Sequence, residues 1–507
     1  MRIRRMIAPL VAALVSAGCS DDLDVTNPNQ RTTDAFWRNQ SDAVSGVNAA
    51  YNQLQQAGVY GQWVWMALDG RTDINTSRSP WGDLANFTRT VLLTGNFPAN
   101  IDTWRDHYRG IYRANQVLVN VPTIEMDEAV KNRVVGEAKF LRALYYYDLA
   151  VLFGNVPIVT ELPASADRPT TAPQAEVWAQ VIKDATEAAA ALPVRYEGND
   201  RGRATRGAAL ALVGRVQMQQ KQWAEAAQTF ARVVALAGEA GYALAPTFAE
   251  NFTVAGDNNS EAVFEVAFGG PSTLPQGTRG NFIARLVGPP GLAFTDVQPT
   301  DWYFQKFFEE GGPNAPDPRL FYTIFYNKPG GMDVYGRPFA DRYPTGFREK
   351  GINETYFWKK HAEYYLTFQD DNSAINYKLI RYADVLLMLA EALNESGRTA
   401  EALPYVNQIR ARANNSAAPG STRLAPRPAT SDQAQMRRWI EHEFLMELGW
   451  ENHRLQYLKR HDMLNKATLL PHDPDFNSWV DGQYELLPIP QTERDLNPNI
   501  QQNPGWP

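Results

Sequence analysis

Apolar residues in the first half of the chain recur at three- and four-residue steps, which is the spacing of an amphipathic helix. Two stretches show this pattern, one through Ala43, Val47, Ala50, Tyr51 and Leu54, the other through Trp104, Tyr108, Ile111, Tyr112 and Val119. A third predicted helix covers about 131–153 and ends at Gly154, ahead of Pro157. Glycine at a helix end with proline soon after it is a typical stop signal. The first half is therefore predicted to be mainly helical.

Two later pairs of predicted helices combine small residues on one helix with larger apolar residues on the next. The pairs cover 205–220 with 223–234, and 382–395 with 399–414. Their packing positions hold Ala208, Ala209, Ala211, Gly214, Trp223, Ala226, Ala227, Phe230 and Val234 in the first pair, and Ala390, Ala402, Val406 and Ile409 in the second. This spacing is typical of tetratricopeptide-like helical pairs. Because the pairs are irregular and separated, the sequence predicts an all-α fold, an irregular scaffold of such pairs with long insertions.

Helical periodicity fails in two aromatic-rich stretches, 62–100 and 261–376. The first is predicted as a long loop and carries Trp63, Trp65 and Trp81. The second opens with strand-like alternation over 262–268 and continues through turns rich in Gly and Pro. Long loops are usually functional in compact domains, and loops on a rigid scaffold are where binding residues concentrate. We therefore expect ligand contacts in these two stretches.

The charge balance and the cysteine content exclude several functional classes. The 507 residues include 49 Lys and Arg against 56 Asp and Glu, which gives a net charge of −7. Without a basic surplus to grip a phosphate backbone, nucleic acid is not expected as a partner. The only cysteine is Cys19, which excludes a disulfide framework and any cysteine-based zinc site.

The N-terminus has the pattern of an export signal. Arginines at positions 2, 4 and 5 precede a short apolar stretch at 6–17, and small residues lead to Cys19. The stretch is too short to span a membrane. It resembles a bacterial lipoprotein signal, in which cleavage before the cysteine leaves Cys19 to carry lipid (diacylglycerol on the thiol and an acyl chain such as palmitate on the amine). It departs from that pattern at Ser16, where an aliphatic residue is preferred, and an ordinary secretory signal with an incidental cysteine is the alternative.

These observations predict the domain organisation. Residues 1–18 form a signal peptide, 19–40 a lipidated tether, and 41–507 a single helical domain that includes the loop-rich insertion at about 261–376. Acyl chains add about 0.8 kcal/mol of membrane affinity per buried CH₂, so several chains would hold the domain on a membrane. The acidic residues Asp21 and Asp22 after Cys19 also resemble a signal for display on the outside of the cell.

Ordered motifs along the whole chain resemble the SusD/RagB family of surface lipoproteins. They are CSDD at 19–22, GEAKFLRALYYYDL at 136–149, LFGNVP at 152–157, GRATRGAA at 202–209, DPRL at 317–320, LIRYADVLLMLAEA at 379–392, LPIP at 487–490 and QNPG at 502–505. No single motif is decisive, but their order and coverage are specific. Arg381, inside one of these motifs, is expected to help hold the scaffold together.

The resemblance implies a fold, a partner and a cellular location. Such proteins are all-helical, with four tetratricopeptide-like units and a loop-rich half that binds the ligand. They form a lid on the extracellular face of a SusC-like TonB-dependent outer-membrane transporter and deliver captured oligosaccharides, or in some members peptides, into it. The resemblance thus implies a protein held on the outer membrane by the lipid on Cys19 and facing the exterior, with no cofactor besides that lipid and no catalysis.

The resemblance also indicates where the ligand binds. In the family, ligand residues fall partly on the loop after the first helix and partly in the central insertion. The corresponding residues here are Asp69, Arg78, Trp81 and Asn86 in the loop, and Trp302 and Tyr303 in the insertion. Aromatic rings pack on the C–H faces of sugars, while Asp, Asn and Arg side chains pair with hydroxyls. The alternative for each aromatic residue is simple packing in the core.

Metal chemistry finds little support in the histidines. His442 and Glu443 open like the H-E-x-x-H zinc motif, but Met446 stands where the second histidine belongs. His453 and His461 could share a helix face, yet two histidines alone do not make a typical zinc site. No metal is therefore predicted.

Two rival functions stay open at this point. The acid pairs Glu309-Glu310 and Asp370-Asp371 could serve a surface glycosidase, whose two carboxylates lie about 5–10 Å apart. The helical pairs could instead form a scaffold that binds another protein while the aromatic residues pack in the core. The resemblance favours a nutrient-binding protein that is not an enzyme over both.

Overall fold

The computed structural model describes residues 36–89, 95–164, 166–269, 280–327, 331–343, 356–362, 372–418 and 420–507. The predicted signal peptide, Cys19 and most of the predicted tether lie outside these residues, as does the acid pair Asp370-Asp371. Among the described helices, none combines the length and the apolar character that crossing a membrane requires.

Helices make up most of the fold. In chain order they are α1 (Gln40–Asn52), α2 (Trp63–Ala67), α3 (Gly82–Thr88), α4 (Pro98–Asn120), α5 (Glu128–Phe153), α6 (Gln174–Ala191), α7 (Arg206–Gln219), α8 (Trp223–Ala235), α9 (Ala237–Ala240), α10 (Ile283–Val287), α11 (Asp301–Lys306), α12 (Leu320–Thr323), α13 (Phe339–Arg342), α14 (Tyr382–Glu395), α15 (Thr399–Asn415), α16 (Gln433–Leu448), α17 (Arg454–Arg460), α18 (Lys466–Leu469) and α19 (Gln491–Leu496).

Short strands pair two by two, all antiparallel. They are β1 (Asn75–Thr76) with β3 (Gln298–Pro299), β2 (Ala262–Val266) with β8 (Tyr377–Arg381), β4 (Ile324–Tyr326) with β7 (Tyr356–Trp358), and β5 (Asp333–Val334) with β6 (Arg337–Pro338). The strand predicted near 262–268 is confirmed as β2. Its partner β8 leads directly into α14, so this pair joins the insertion to the helical scaffold.

Successive helices pack on one another to form the scaffold. Contacts run from α4 through α5, α6, α7 and α8, then to α14, α15 and α16. The predicted pairs are α7 with α8 and α14 with α15, and both are confirmed. Close approach explains the small residues, because a Cβ on Gly214 would lie 2.7 Å from the Phe230 ring on α8. The all-α prediction is likewise confirmed.

The prediction of one long loop over 62–100 is wrong in detail. The structure places α2, β1 and α3 in this stretch. Elements of two to seven residues are too short to show a period, and here packing against the core stabilises them, since Trp63, Trp65 and Phe87 are buried.

A buried network of ion pairs joins the insertion to the C-terminal helices. The Arg381 guanidinium, at the end of β8, contacts Glu261, Glu447 and Glu451, with oxygens of Glu447 and Glu451 at 2.9 and 2.6 Å. Arg319 in turn pairs with Glu447 at 3.3 Å. All five side chains are buried, so their charges are stabilised by one another rather than by water. Arg381 therefore holds the scaffold together, as expected.

Candidate ligand-binding surface

The two stretches predicted to bind ligand meet at the β1–β3 pair. Asn75 lies opposite Pro299 and Thr76 opposite Gln298. Beyond the pair, the Thr300 hydroxyl donates to the Asp73 carbonyl oxygen at 2.6 Å. The short pairing places the segment before Trp81 beside the segment before Trp302. Residues more than 200 positions apart in sequence thus share one surface.

A third segment, 472–475, completes this surface. The Asp475 carboxylate accepts hydrogen bonds from Arg78 at 2.5 Å and, through both oxygens, from Arg89 at 2.9 Å. Partial burial alone raises the pKa of Asp475, but the Arg89 and Arg78 guanidiniums hold it below its ordinary value. The carboxylate therefore stays ionised and fixes both arginines. Sequence reasoning missed Asp475, because no local pattern marks a partner almost 400 residues away.

Trp81 is the predicted residue best placed to stack on a ligand. Its side chain is 41% exposed and directly precedes α3. The ring packs edge-on against Trp63 and Phe97, with ring centroids 5.7 Å away in both cases. The backbone N–H donates to the Ser79 hydroxyl at 3.0 Å. Trp81 is thus supported from below by buried rings while much of its own surface faces solvent.

Trp302 lies on α11 in a more enclosed position. The His472 ring stacks on it at 3.9 Å with an interplanar angle of 17°, and the Lys306 ammonium lies 5.0 Å from the ring centroid. His472 Nδ1 lies 2.8 Å from a carboxylate oxygen of Asp73. One face of the half-buried indole is therefore already covered, and less of Trp302 than of Trp81 is available to a ligand.

Asp69 and Tyr303 lie in the interior. Asp69 accepts backbone hydrogen bonds from Asn452 at 2.7 Å and Arg454 at 3.0 Å, and burial raises its pKa to about 7. The Tyr303 hydroxyl donates to the Leu445 carbonyl oxygen at 2.9 Å. Both side chains are fully buried, and these contacts give them a structural role. Their direct contact with ligand stays a prediction.

The remaining candidates lie nearer the surface. Asn86 is half-buried on α3, and Arg78 keeps 27% of its side chain exposed beside Asp475. The structure adds Phe294, a 52% exposed aromatic residue of the insertion that sequence reasoning did not select. Nothing in its sequence context separates Phe294 from the many aromatic residues that pack inside the insertion.

The acid pair Glu309-Glu310 does not suit glycoside hydrolysis. A hydrogen bond with His442 lowers the pKa of Glu309 to about 2. Burial raises the pKa of Glu310, but hydrogen bonding to Arg410 brings it below its ordinary value. A glycosidase needs one acid with a raised pKa to protonate the leaving group. Glu309 and Glu310 therefore do not support the glycosidase alternative.

Glu310, His442 and Glu443 form a cluster of potential metal ligands whose negative charge is compensated by an arginine. Ligand atoms of Glu310, His442 and Glu443 lie within 4.8 Å of one another. However, Arg410 pairs with Glu310 at 2.7 Å and with Glu443 at 2.6 Å. The guanidinium occupies the position of a cation and satisfies both carboxylates, so the cluster is explained by ion pairing.

Two cavities of about 290 and 390 Å³ share part of their lining, and a third, of about 360 Å³, is lined by residues that include Gln62 and Phe282. The first two cavities are lined by Arg201, Gly202, Arg203, Asn258 and Glu265. The predicted ligand residues line none of these three cavities. The candidate surface is therefore described by its exposed residue Trp81 rather than by a cavity.

Comparison with known proteins identifies the family. Residues 260–506 match the model of the SusD family, and residues 21–218 match a SusD-like model described as starch-binding and associating with the outer membrane. The SusD-like proteins P25 and P2 of Formosa agariphila are 24% and 27% identical to this chain, and each alignment covers 98% of both proteins.

Solved structures agree in fold over nearly the whole chain. A SusD superfamily protein from Bacteroides vulgatus superposes with a TM-score of 0.80 at 24% identity, covering 93% of this chain and 100% of that one. A laminarin-binding SusD-like protein superposes with a TM-score of 0.74 at 27% identity, with the same coverage. With family models matching 21–218 and 260–506, and relatives aligned over 98% of the chain, the chain belongs to the SusD/RagB family of carbohydrate-binding proteins.

Proposed function

We propose that this protein captures oligosaccharides at the outer face of the outer membrane and delivers them to a SusC-like TonB-dependent transporter. Lipid on Cys19 anchors it to the membrane. The observation that carries the proposal is the exposed ring of Trp81, which lies three residues from Arg78 on a surface fixed by Asp475. An aromatic face beside hydrogen-bonding side chains is the arrangement that recognises a sugar.

Rigid support strengthens this assignment. Arg78, Arg89 and Asp475 are locked by charge-assisted hydrogen bonds, and Trp81 rests on buried rings. Preorganised groups lose little freedom when a ligand binds. The family membership and the laminarin-binding structural neighbour point to glucans as the first ligands to test. A peptide ligand, known in some members of the family, is an outcome of the same test.

The test is calorimetric titration of the soluble chain starting after Cys19 against laminarin, starch, other polysaccharides and a set of peptides. We expect saturable binding to a polysaccharide without turnover. Loss of one stacking ring costs about 1–1.5 kcal/mol, so Trp81→Ala should weaken binding about tenfold. Tyr112→Ala is the matched control, because Tyr112 is 43% exposed on α4.

Three results would contradict the proposal. Product release from the polysaccharide would indicate an enzyme, and binding to peptides alone would indicate the other ligand class. Equal affinities of wild type and Trp81→Ala would place the binding site elsewhere. Purification of the lipidated chain from membranes, with or without a co-purifying barrel transporter, tests the delivery step separately.

A further inference from the structure

The Phe294 side chain contacts Arg285 and Phe282 but remains largely exposed to solvent. The Arg285 guanidinium lies 4.7 Å from its ring centroid, and the Phe282 ring lies 6.1 Å away. The Phe294 N–H donates to the Arg285 carbonyl oxygen at 2.9 Å. Even with these contacts, 52% of the side chain is exposed. Because Arg285 covers one face of the ring, the exposed area belongs mainly to the other face and the ring edge.

The backbone after Phe294 adopts a conformation that its residue type disfavours. Thr295 has φ of +58°, in the left-handed region. A β-branched residue in this region is strained, and such strain is found preferentially at functional sites. The Thr295 hydroxyl donates to the Gly288 carbonyl oxygen at 2.9 Å and helps to hold this turn. The turn separates exposed Phe294 from Asp296, which is only 6% exposed.

Asp296 connects this turn to Trp81. Its carboxylate accepts from the Ser79 hydroxyl at 2.6 Å, and that hydroxyl accepts from the Trp81 N–H at 3.0 Å. The backbone carbonyl oxygen of Asp296 also accepts a hydrogen bond from the Ser77 hydroxyl at 2.5 Å. Trp81 lies two residues after Ser79, and Phe294 two residues before Asp296. The Cα atom of Trp81 therefore lies within about 7 Å of the Cα atom of Ser79. The Cα atom of Phe294 likewise lies within about 7 Å of the Cα atom of Asp296.

We propose that Phe294 is a second stacking surface for the ligand, fixed relative to Trp81 by the link through Ser79 and Asp296. The inference rests on the proposed function and specifies its ligand as an extended oligosaccharide that contacts both rings at once. A short oligosaccharide reaches only one ring. Once the ligand spans both rings, the second contact is intramolecular and the affinity rises steeply with length.

The experiment is calorimetry with laminarin- and starch-derived oligosaccharides from disaccharide to octasaccharide. Wild type should show a step in affinity as length increases. Phe294→Ala should match wild type for the shortest ligand bound and be about tenfold weaker for the longest, since one stacking contact is lost. Trp81→Ala should be weaker at every length. Phe294→Tyr retains the ring and should restore the step.

The outcomes separate this inference from the proposed function. Absence of binding by wild type to both oligosaccharide series and to every polysaccharide of the first titration would overturn both. Binding that depends on Trp81 but is unchanged by Phe294→Ala at every length would overturn only the second surface. An equal loss at all lengths in a folded Phe294→Ala variant would also overturn the second surface, because the proposal requires the loss to grow with ligand length. Thermal unfolding of each variant, with Tyr112→Ala as the control for removing an exposed ring, identifies altered folding.

Discussion

Replacing Arg381 tests how far the buried ion network sustains the fold. Arg381→Met keeps much of the side-chain volume but removes a charge that contacts Glu261, Glu447 and Glu451. Each carboxylate keeps another cation, since Arg412 pairs with Glu261 and Glu447, and Lys360 lies 2.8 Å from Glu451. Because Arg412 is shared by two of the three carboxylates, removing the Arg381 charge leaves one uncompensated negative charge in the interior.

The magnitude follows from that single unpaired charge. Removing one partner of a buried ion pair costs about 3–5 kcal/mol, which is a large part of the 5–15 kcal/mol typical of a folded protein. Unfolding exposes more surface in a chain of this length than in a small domain. With a urea dependence of about 3 kcal/mol/M or more, the transition midpoint should fall by about 1 M.

Urea unfolding followed by tryptophan fluorescence measures this shift. Arg398→Met is the matched control, because Arg398 pairs with Glu401 on the surface, where 49% and 56% of the two side chains are exposed. Its midpoint should stay close to wild type. The double variant Arg381→Met with Glu447→Gln removes one charge of each sign and should recover part of the loss. Equal midpoints for Arg381→Met and Arg398→Met would refute the reasoning.

Two other properties should respond in a defined direction. Burial raises the pKa of Glu443 and Asp73, but neighbouring arginines lower each to about 2, below the ordinary value that applies in the unfolded chain. Their stabilisation is complete above that ordinary value, so the urea midpoint should fall as the pH drops from about 5 towards 2; a midpoint that rises over this range would contradict the assignment. Gly214→Ala places a Cβ 2.7 Å from the Phe230 ring and should cost about 1–3 kcal/mol in thermal unfolding. Gly238→Ala, with nothing within 4 Å of the added atom, should be neutral or slightly stabilising.

The sequence predicts the scaffold well because a packed helix pair can be recognised from residues that are close in sequence. The small residue at Gly214 faces Phe230 on the neighbouring helix, and both positions can be recognised within 20 residues of sequence. The short helices around Trp81 show no recognisable periodicity, because an element of five to seven residues spans fewer than two helical turns. Their conformation depends on the core beneath them.

The candidate surface could be predicted only in part for a related reason. The family resemblance indicates Trp81 from its place in the loop after the first helix, whereas Asp475 and His472 gain their roles only when distant segments of the chain meet. Asp69 shows the opposite case. From the sequence it is predicted to contact the ligand, but the backbone N–H groups of residues 452 and 454 donate to its carboxylate in the interior. Partners that distant cannot be inferred from local spacing.

The rigid core extends to the edge of the candidate surface. Arg454 binds Asp73 through two hydrogen bonds of 2.8 and 2.7 Å, Asp73 contacts His472, and His472 stacks on Trp302. The free energy needed to order these side chains is therefore met during folding rather than during binding. Under the proposed function, the exposed rings of Trp81 and Phe294 would supply a few well-placed contacts. A fixed frame would allow so few contacts to hold the proposed oligosaccharide.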